Sequence, residues 1–246
     1  MIRRGVILAG LGLLAASALA GCQSTQATSA EKAENGDKLL HQGSIEIGKE
    51  NTDIEVVSAT LIPGPDTSAV AVQLHNNSAE GFANVPIQLN VLDAKGKSVF
   101  KNDAKGTDPT LIGVPVIQPN ADVWWVHDQI FAIGKPDSVK VTVGSGADPL
   151  PELPEVDAEE PKVEHDSISD LDEATGDIEN PGDEDLRKVY LYAVAVKDGK
   201  AVAAGRGAID KLKADAAKPE IYNIFFVGDP TGAEIEFSAT PTFLEE

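Results

Sequence analysis

From Ile45 onward, apolar residues recur at every second position. "SIEIGKENTDIEVVSATLI" opens the pattern, and "SAVAVQLHN" sets Val70, Val72 and Leu74 against small and polar neighbours. "NVPIQLNVLD" then alternates Val85, Ile87, Leu89 and Val91, and "SVKVTVG" alternates Val139, Val141 and Val143. Successive side chains of an extended chain point to opposite faces, so a period of two turns one face of each segment to a core and the other to water. Turn formers stand between these segments: "PGPD" at 63–66, "NNS" at 76–78, "DAKGK" at 93–97 and "IQPNAD" at 117–122. No helical periodicity interrupts residues 45–147. Short, half-buried antiparallel strands at regular spacing predict a β-sandwich.

The pattern breaks at 149–185. "PLPELPEVDAEEPK" is rich in Pro and acid, and residues 152–185 hold 15 acidic residues against one Lys. Such a stretch reads as an extended linker. Strand signals return at "VYLYAVAV", "AVAAGRGAI", "EIYNIFFV" and "AEIEFSATPTF", with "DKLKADAAK" (210–218) as a long loop before a strand. The return repeats what came before. Leu74-His75-Asn76 matches Ile178-Glu179-Asn180, and Val85–Leu89 matches Val189–Ala193, both at an offset of 104. "IFAIGKPDSVKVTV" matches "IFFVGDPTGAEIEF" at an offset of 94, pairing Phe131 with Phe225, Gly134 with Gly228 and Pro136 with Pro230. The change of offset assigns about ten extra residues to the first copy, around "KNDAKGTDPTLIG", and places the first strands of the second copy in "KVEHDSISDLDEATGDIEN". The expected fold is all-β, with two tandem immunoglobulin-like antiparallel β-sandwiches.

The N-terminus has a different character. Arg3 and Arg4 precede an uninterrupted run of apolar and small residues, "GVILAGLGLLAASALA", which ends at Leu19-Ala20-Gly21-Cys22. A basic start, a short apolar run and small residues before a cleavage point make a secretory signal, too short for a comfortable membrane span. Cys22 is the single cysteine of the chain, so no intrachain disulfide can form. Leu19, Ala20, Gly21 and Cys22 resemble a bacterial lipobox. That resemblance implies cleavage before Cys22, a diacylglycerol on its thiol, and a protein held on the extracytoplasmic side of a bacterial membrane. The expected organisation is a signal peptide at 1–21, a flexible Ser/Thr/Gln-rich tether at 22–43, a first sandwich at 44–147, a linker at 148–162 and a second sandwich at 163–246.

The order of strands and turns also resembles the FxLYD-type domain, an immunoglobulin-like sandwich of secreted and lipid-anchored bacterial proteins. The naming motif corresponds to Leu89-Asn90-Val91-Leu92-Asp93, of which the Asp and the apolar spacing remain. In the second copy Ala193-Val194-Ala195-Val196-Lys197 stands there, with the acid one place later at Asp198. The resemblance runs over about 54–145 and 175–244. It implies a fold and a location and brings no catalytic residues.

The residues narrow the function further. A formal charge of −20 repels phosphate backbones and speaks against nucleic-acid binding. His41, His75, His127 and His165 are scattered and join no zinc or protease spacing. No nucleophile elbow, P-loop or dinucleotide fingerprint is present. The chain is expected to be no enzyme and to need no cofactor. The one alternative is Ca²⁺ on the acidic stretch, where Asp170, Asp172, Glu173, Asp177 and Glu179 are oxygen donors of the kind hard cations take, although Thr175 stands where an EF-hand needs Gly. Trp124 and Trp125 are adjacent, so on a strand they face opposite ways. One fills a core, and the other is a candidate partner contact. The reading is a lipid-anchored envelope protein, a binding or spacer module whose partners are the membrane, through its anchor, and an envelope protein. A solute- or metal-binding accessory subunit and an envelope hydrolase are the alternatives.

Overall fold

The computed structural model describes residues 47–104, 107–145, 148–150, 153–214 and 216–241. The signal segment, the lipobox Leu19, Ala20 and Gly21, Cys22 and the tether lie outside the described residues. The fold is all-β and consists of two antiparallel sandwiches in tandem. A 3₁₀ turn at Pro109–Leu111 is the only helical element among the described residues.

The first sandwich contains β1 (Ile54–Pro63), β2 (Ser68–Asn76), β3 (Phe82–Leu92), β4 (Ser98–Lys101), β5 (Gly113–Ile117), β6 (Asp122–Ile130), β7 (Ser138–Val143) and β8 (Asp148–Pro149). One sheet has the order β1-β2-β6. The other is built on β3, which pairs with β4, β5, β7 and β8. The second sandwich contains β9 (Asp157–Ala158), β10 (Lys162–Asp166), β11 (Leu171–Glu179), β12 (Val189–Lys197), β13 (Lys200–Ile209), β14 (Glu220–Phe225), β15 (Val227–Gly228) and β16 (Glu234–Pro241). Its sheets are β10-β11-β14, with β9 on β11, and β15-β13-β12-β16. The stretch read as a linker is shared out between the sandwich edges: β8 adds to β3, and β9 adds to β11.

The two topologies coincide. β1-β2-β6 corresponds to β10-β11-β14, and β3 with its neighbours corresponds to β12 with β13 and β16. A buried asparagine marks the same point in each copy. Asn76 Nδ2 donates to the carbonyls of Glu80 (2.7 Å) and Gln118 (3.0 Å), and its Oδ1 accepts from the Ser78 N–H (2.9 Å). Asn180 Nδ2 donates to Glu184 (2.8 Å) and Leu212 (3.2 Å), and its Oδ1 accepts from the Gly182 N–H (3.0 Å). Each side chain ties the loop that follows its strand to the segment that leads into β6 or β14, and leaves no polar atom of its amide unpaired. The copies differ in length at the insert and again between β13 and β14, where residues 210–219 stand against 118–121, so the β6–β14 register is offset by 97 and not by the 94 of the sequence match. β13 runs unbroken beside β12, whereas Asn102–Ile112 is inserted between β4 and β5. The β12–β13 hairpin turns on Asp198-Gly199, with φ of 52° and 74°, the left-handed pair that a two-residue turn requires.

The alternation has a consequence beyond each sandwich. On β12, Val189, Leu191, Ala193 and Ala195 face the core of the second sandwich, while Tyr190, Tyr192 and Val194 on the other face join the core cluster of the first. β2 is buried on both faces as well, with Val70, Val72 and Leu74 inward and Ala69 and Ala71 on the opposite side. The β1-β2-β6 sheet therefore packs on the β15-β13-β12-β16 sheet, and the molecule is a stack of four sheets. Gly228 (φ 97°) sits at this junction, where a Cβ would lie 2.3 Å from the Val202 carbonyl oxygen and 2.7 Å from Ile62.

Replacing Asn180 with Ala removes the partner of two carbonyls and one N–H in a buried corner. We expect a loss of about 2–3 kcal/mol in urea unfolding, with Asn76→Ala alike. A change within 0.5 kcal/mol would show that the corner is held otherwise.

Candidate functional site at the junction of the sandwiches

The strongest electrostatic feature lies between the sandwiches. Tyr192 and Arg206 are cross-strand partners on β12 and β13, so both side chains project from the same face, toward the first sandwich. The Arg206 side chain is only 9% exposed. Its Nη1 donates to Thr110 Oγ1 and lies 3.8 Å from Asp108 Oδ2, and its Nε lies 3.8 Å from Asp128 Oδ1. The guanidinium also stands 5.7 Å from the centre of the Tyr190 ring, within cation–π range. Thr110 and Asp108 belong to the insert and Asp128 to β6, so one arginine of the second sandwich gathers two separate elements of the first.

The two carboxyl groups around Arg206 are held differently. Burial pushes Asp108 upward, but the hydroxyl and N–H of Thr110 and the charge of Arg206 outweigh it and leave the carboxyl below its ordinary value. Asp128 is more deeply buried, and burial pushes it up against the opposing pull of Arg206. Its Oδ1 has no hydrogen-bond partner at normal distance, and neither has the buried Tyr192 hydroxyl. Burial likewise raises the Tyr192 phenol well above its ordinary value.

Beside this cluster lies a cleft of about 380 Å³, lined by Phe100, Asn102, Leu111, His127 and Phe131, with Thr107 and Asp108 at its insert side. Asn102 is fixed by its own bonds: Oδ1 accepts from the Leu89 N–H, and Nδ2 donates to Ile87 and Leu111. His127 is 2% exposed, with Phe100 and Trp125 edge-on to its ring at 5.3 and 6.1 Å. Burial, assisted by the charge of Arg206, lowers its pKa to about 4, so the ring is neutral at pH 7.

The residues singled out in the sequence fall as follows. Trp125 is fully buried in the first core, where its Nε1 donates to the carbonyls of Thr110 (2.9 Å) and Gly113 (3.2 Å). Trp124 points the other way, as adjacency requires, but toward the second sandwich, and its Nε1 donates to Glu236 Oε2 of β16 at 2.7 Å. Trp124 is half-buried, and its bond to the exposed Glu236 lies at the solvent edge of the junction. The acidic residues do not form a loop. Asp170 sits in the β10–β11 turn with φ of 58°, and Asp172, Glu173, Asp177 and Glu179 lie along β11. Strand alternation sends Asp172 to the face opposite Glu173 and Asp177. Asp172 and Asp170 approach His165 instead, at 3.1 and 3.5 Å. Among the described residues no three His, Cys, Asp or Glu side chains converge on a point that could hold a metal ion. Sequence reasoning passed over Arg206 and set His127 aside. A lone Arg within the Ala/Gly-rich "AVAAGRGAI" was the available signal, since a long cation among small residues on a strand needs a partner sheet to receive it.

A scan against models of known protein families finds no match for this chain, and a search of curated proteins finds no relative.

Arg206→Ala would leave Asp128 buried without its counter-charge. We expect a loss of about 3–5 kcal/mol in chemical denaturation, only partly recovered by Lys, which cannot span the same three groups. His127 provides a pH test. Its folded pKa lies below the unfolded value of about 6.5, so between pH 6.5 and 4 the unfolded chain binds the extra proton and acidification destabilises the fold, by up to roughly 3 kcal/mol. Asp128, pushed upward, acts in the opposite sense. The stability of wild type should therefore fall relative to His127→Ile as the pH drops through that window. A difference that does not vary with pH would contradict the assignment.

Proposed function

We propose that this chain is a non-enzymatic, lipid-anchored protein of a bacterial cell envelope, in which two immunoglobulin-like sandwiches act as one rigid body that binds or spaces an envelope partner. The observation that carries the reading is the sheet-on-sheet junction, where Tyr190, Tyr192 and Val194 are buried against the first sandwich and Arg206 is enclosed by Thr110, Asp108 and Asp128. Tandem domains move relative to one another unless their interface is large and apolar. A body of this kind suits holding a surface at a set distance, and the resemblance to FxLYD-type domains of lipid-anchored proteins points the same way. The signal run and Leu19-Ala20-Gly21-Cys22 supply the anchor in this reading. Exposed apolar groups open to a partner include Ile133 after β6, Ile168 in the β10–β11 turn and Ile221 on β14, in addition to the half-buried Trp124.

Two measurements test this. Cys22→Ala should move the protein from the membrane fraction to the soluble fraction, and full membrane retention would sink the anchor. Residual dipolar couplings from both sandwiches should fit one alignment tensor, and two different tensors would sink the rigid body.

A further inference from the structure

The corresponding ladders of the two sandwiches supply an internal control for core positions. Across the β2–β6 ladder Val70 faces His127, and across β11–β14 the equivalent Ala174 faces Ile224. Ile224 fills its site with an aliphatic side chain, fully buried. The first copy puts an imidazole in the same place. Gln129 N–H donates to His127 Nδ1 at 3.3 Å, which leaves the proton of the neutral ring on Nε2, and Nε2 is buried without a hydrogen-bond partner. A buried donor with no acceptor lowers stability, so packing alone favours the isoleucine.

The second departure between the copies is the insert Asn102–Ile112, and it meets the first. The cleft that His127 lines is walled on one side by the insert residues Asn102, Ala104 and Leu111, and on the other by Phe100 and Phe131. The second sandwich has no counterpart of this wall, because β13 runs straight through the equivalent positions. An unpaired donor and an added wall meet at one hollow, in which Phe100, Ala104, Leu111 and Phe131 supply apolar surface between polar groups, the mixed lining of a small-molecule site.

We propose that this cleft binds a small, uncharged, mainly apolar molecule whose carbonyl or ether oxygen accepts a hydrogen bond from His127 Nε2–H. The charge class follows from the lining, whose two charged residues, Lys101 and Asp108, are of opposite sign. The imidazole is neutral. The Asp108 carboxylate is already engaged by Thr110 and Arg206, so it offers little to a cation and repels an anion. The net charge of −20 also works against anions. This site goes beyond the anchored-body reading and stands or falls apart from it.

The test uses a matched pair of probes on the full chain. Acetophenone carries an aromatic ring and a carbonyl acceptor, and ethylbenzene has nearly the same shape without the acceptor. Titrations followed by ¹⁵N-histidine spectra should show acetophenone shifting the His127 Nε2–H signal and binding at least about tenfold more tightly than ethylbenzene. His127→Ile should bind the two probes alike and melt at the same or a higher temperature than wild type. Equal binding of the two probes by wild type would overturn the proposal, as would no binding of acetophenone at millimolar concentration. A His127→Ile variant that melts lower would overturn it as well, since the imidazole would then be a structural member of the core.

Discussion

The molecule depends on two sheets whose central strands, β2 and β12, bury residues on both faces. An antiparallel sheet ordinarily turns one face to a core and the other to water. Here the middle of β1-β2-β6 and of β15-β13-β12-β16 is buried twice, one face in its own sandwich and one against the other sheet. Equivalent positions in the two copies reveal how the stack is limited. Tyr192 and Val194 of β12 are buried in the junction, while their counterparts Gln88 and Asn90 on β3 are half-exposed. Ala69 and Ala71 of β2 are buried in the junction, while their counterparts on β11 are Glu173 and Thr175, both partly exposed. A head-to-tail contact between like units can in principle continue without end. Glu173 and Thr175, with Gln88 and Asn90, give the outer faces a more polar surface than the junction, as in the terminal units of repeat proteins, although Ile221 and Phe225 of β14 are exposed beside them.

Apolar contact is non-directional and does not by itself choose how one sheet lies on another. Arg206 supplies direction. A buried guanidinium that must meet Thr110, Asp108 and Asp128 from the far sandwich is satisfied in one arrangement only, and misplacement would leave charges buried and unpaired. The insert therefore serves two ends. Its Asp108–Thr110 segment receives Arg206, and its Asn102–Leu111 side walls the cleft beside His127. The second sandwich lacks the insert, and the first holds both the lock and the hollow.

Much of the fold was legible in the chain. The period of two located β1, β2, β3 and β7. The matched Asn76 and Asn180 marked one corner twice, and the change of offset pointed to the region of the insert. Less of the site was legible. The half-buried reading of "SAVAVQLHN" treated Ala69 and Ala71 as a solvent face, because alanine is small enough to suit water or a closely packed sheet. The adjacency of Trp124 and Trp125 correctly required opposite faces, but nothing local says that the second indole meets Glu236 of β16. The acidic run looked like a loop able to gather ligands. Its alternation of Ala174 and Ile178 with charged neighbours is that of a strand, which spreads carboxylates to two sides instead of gathering them.

By itself, the sequence determined the local geometry: strand period, turn positions, the repeated corner and the acidic surface, all of which follow from backbone sterics and side-chain polarity over a few residues. Tertiary structure alone decided which faces meet. The burial of Tyr192, the enclosure of Arg206, the bond of Trp124 to Glu236 and the placing of His127 at a cleft arise from contacts between residues tens of positions apart. Those contacts are set by how two sheets fit and by where an arginine can find its partners, and no short window of sequence contains both sides of such a contact.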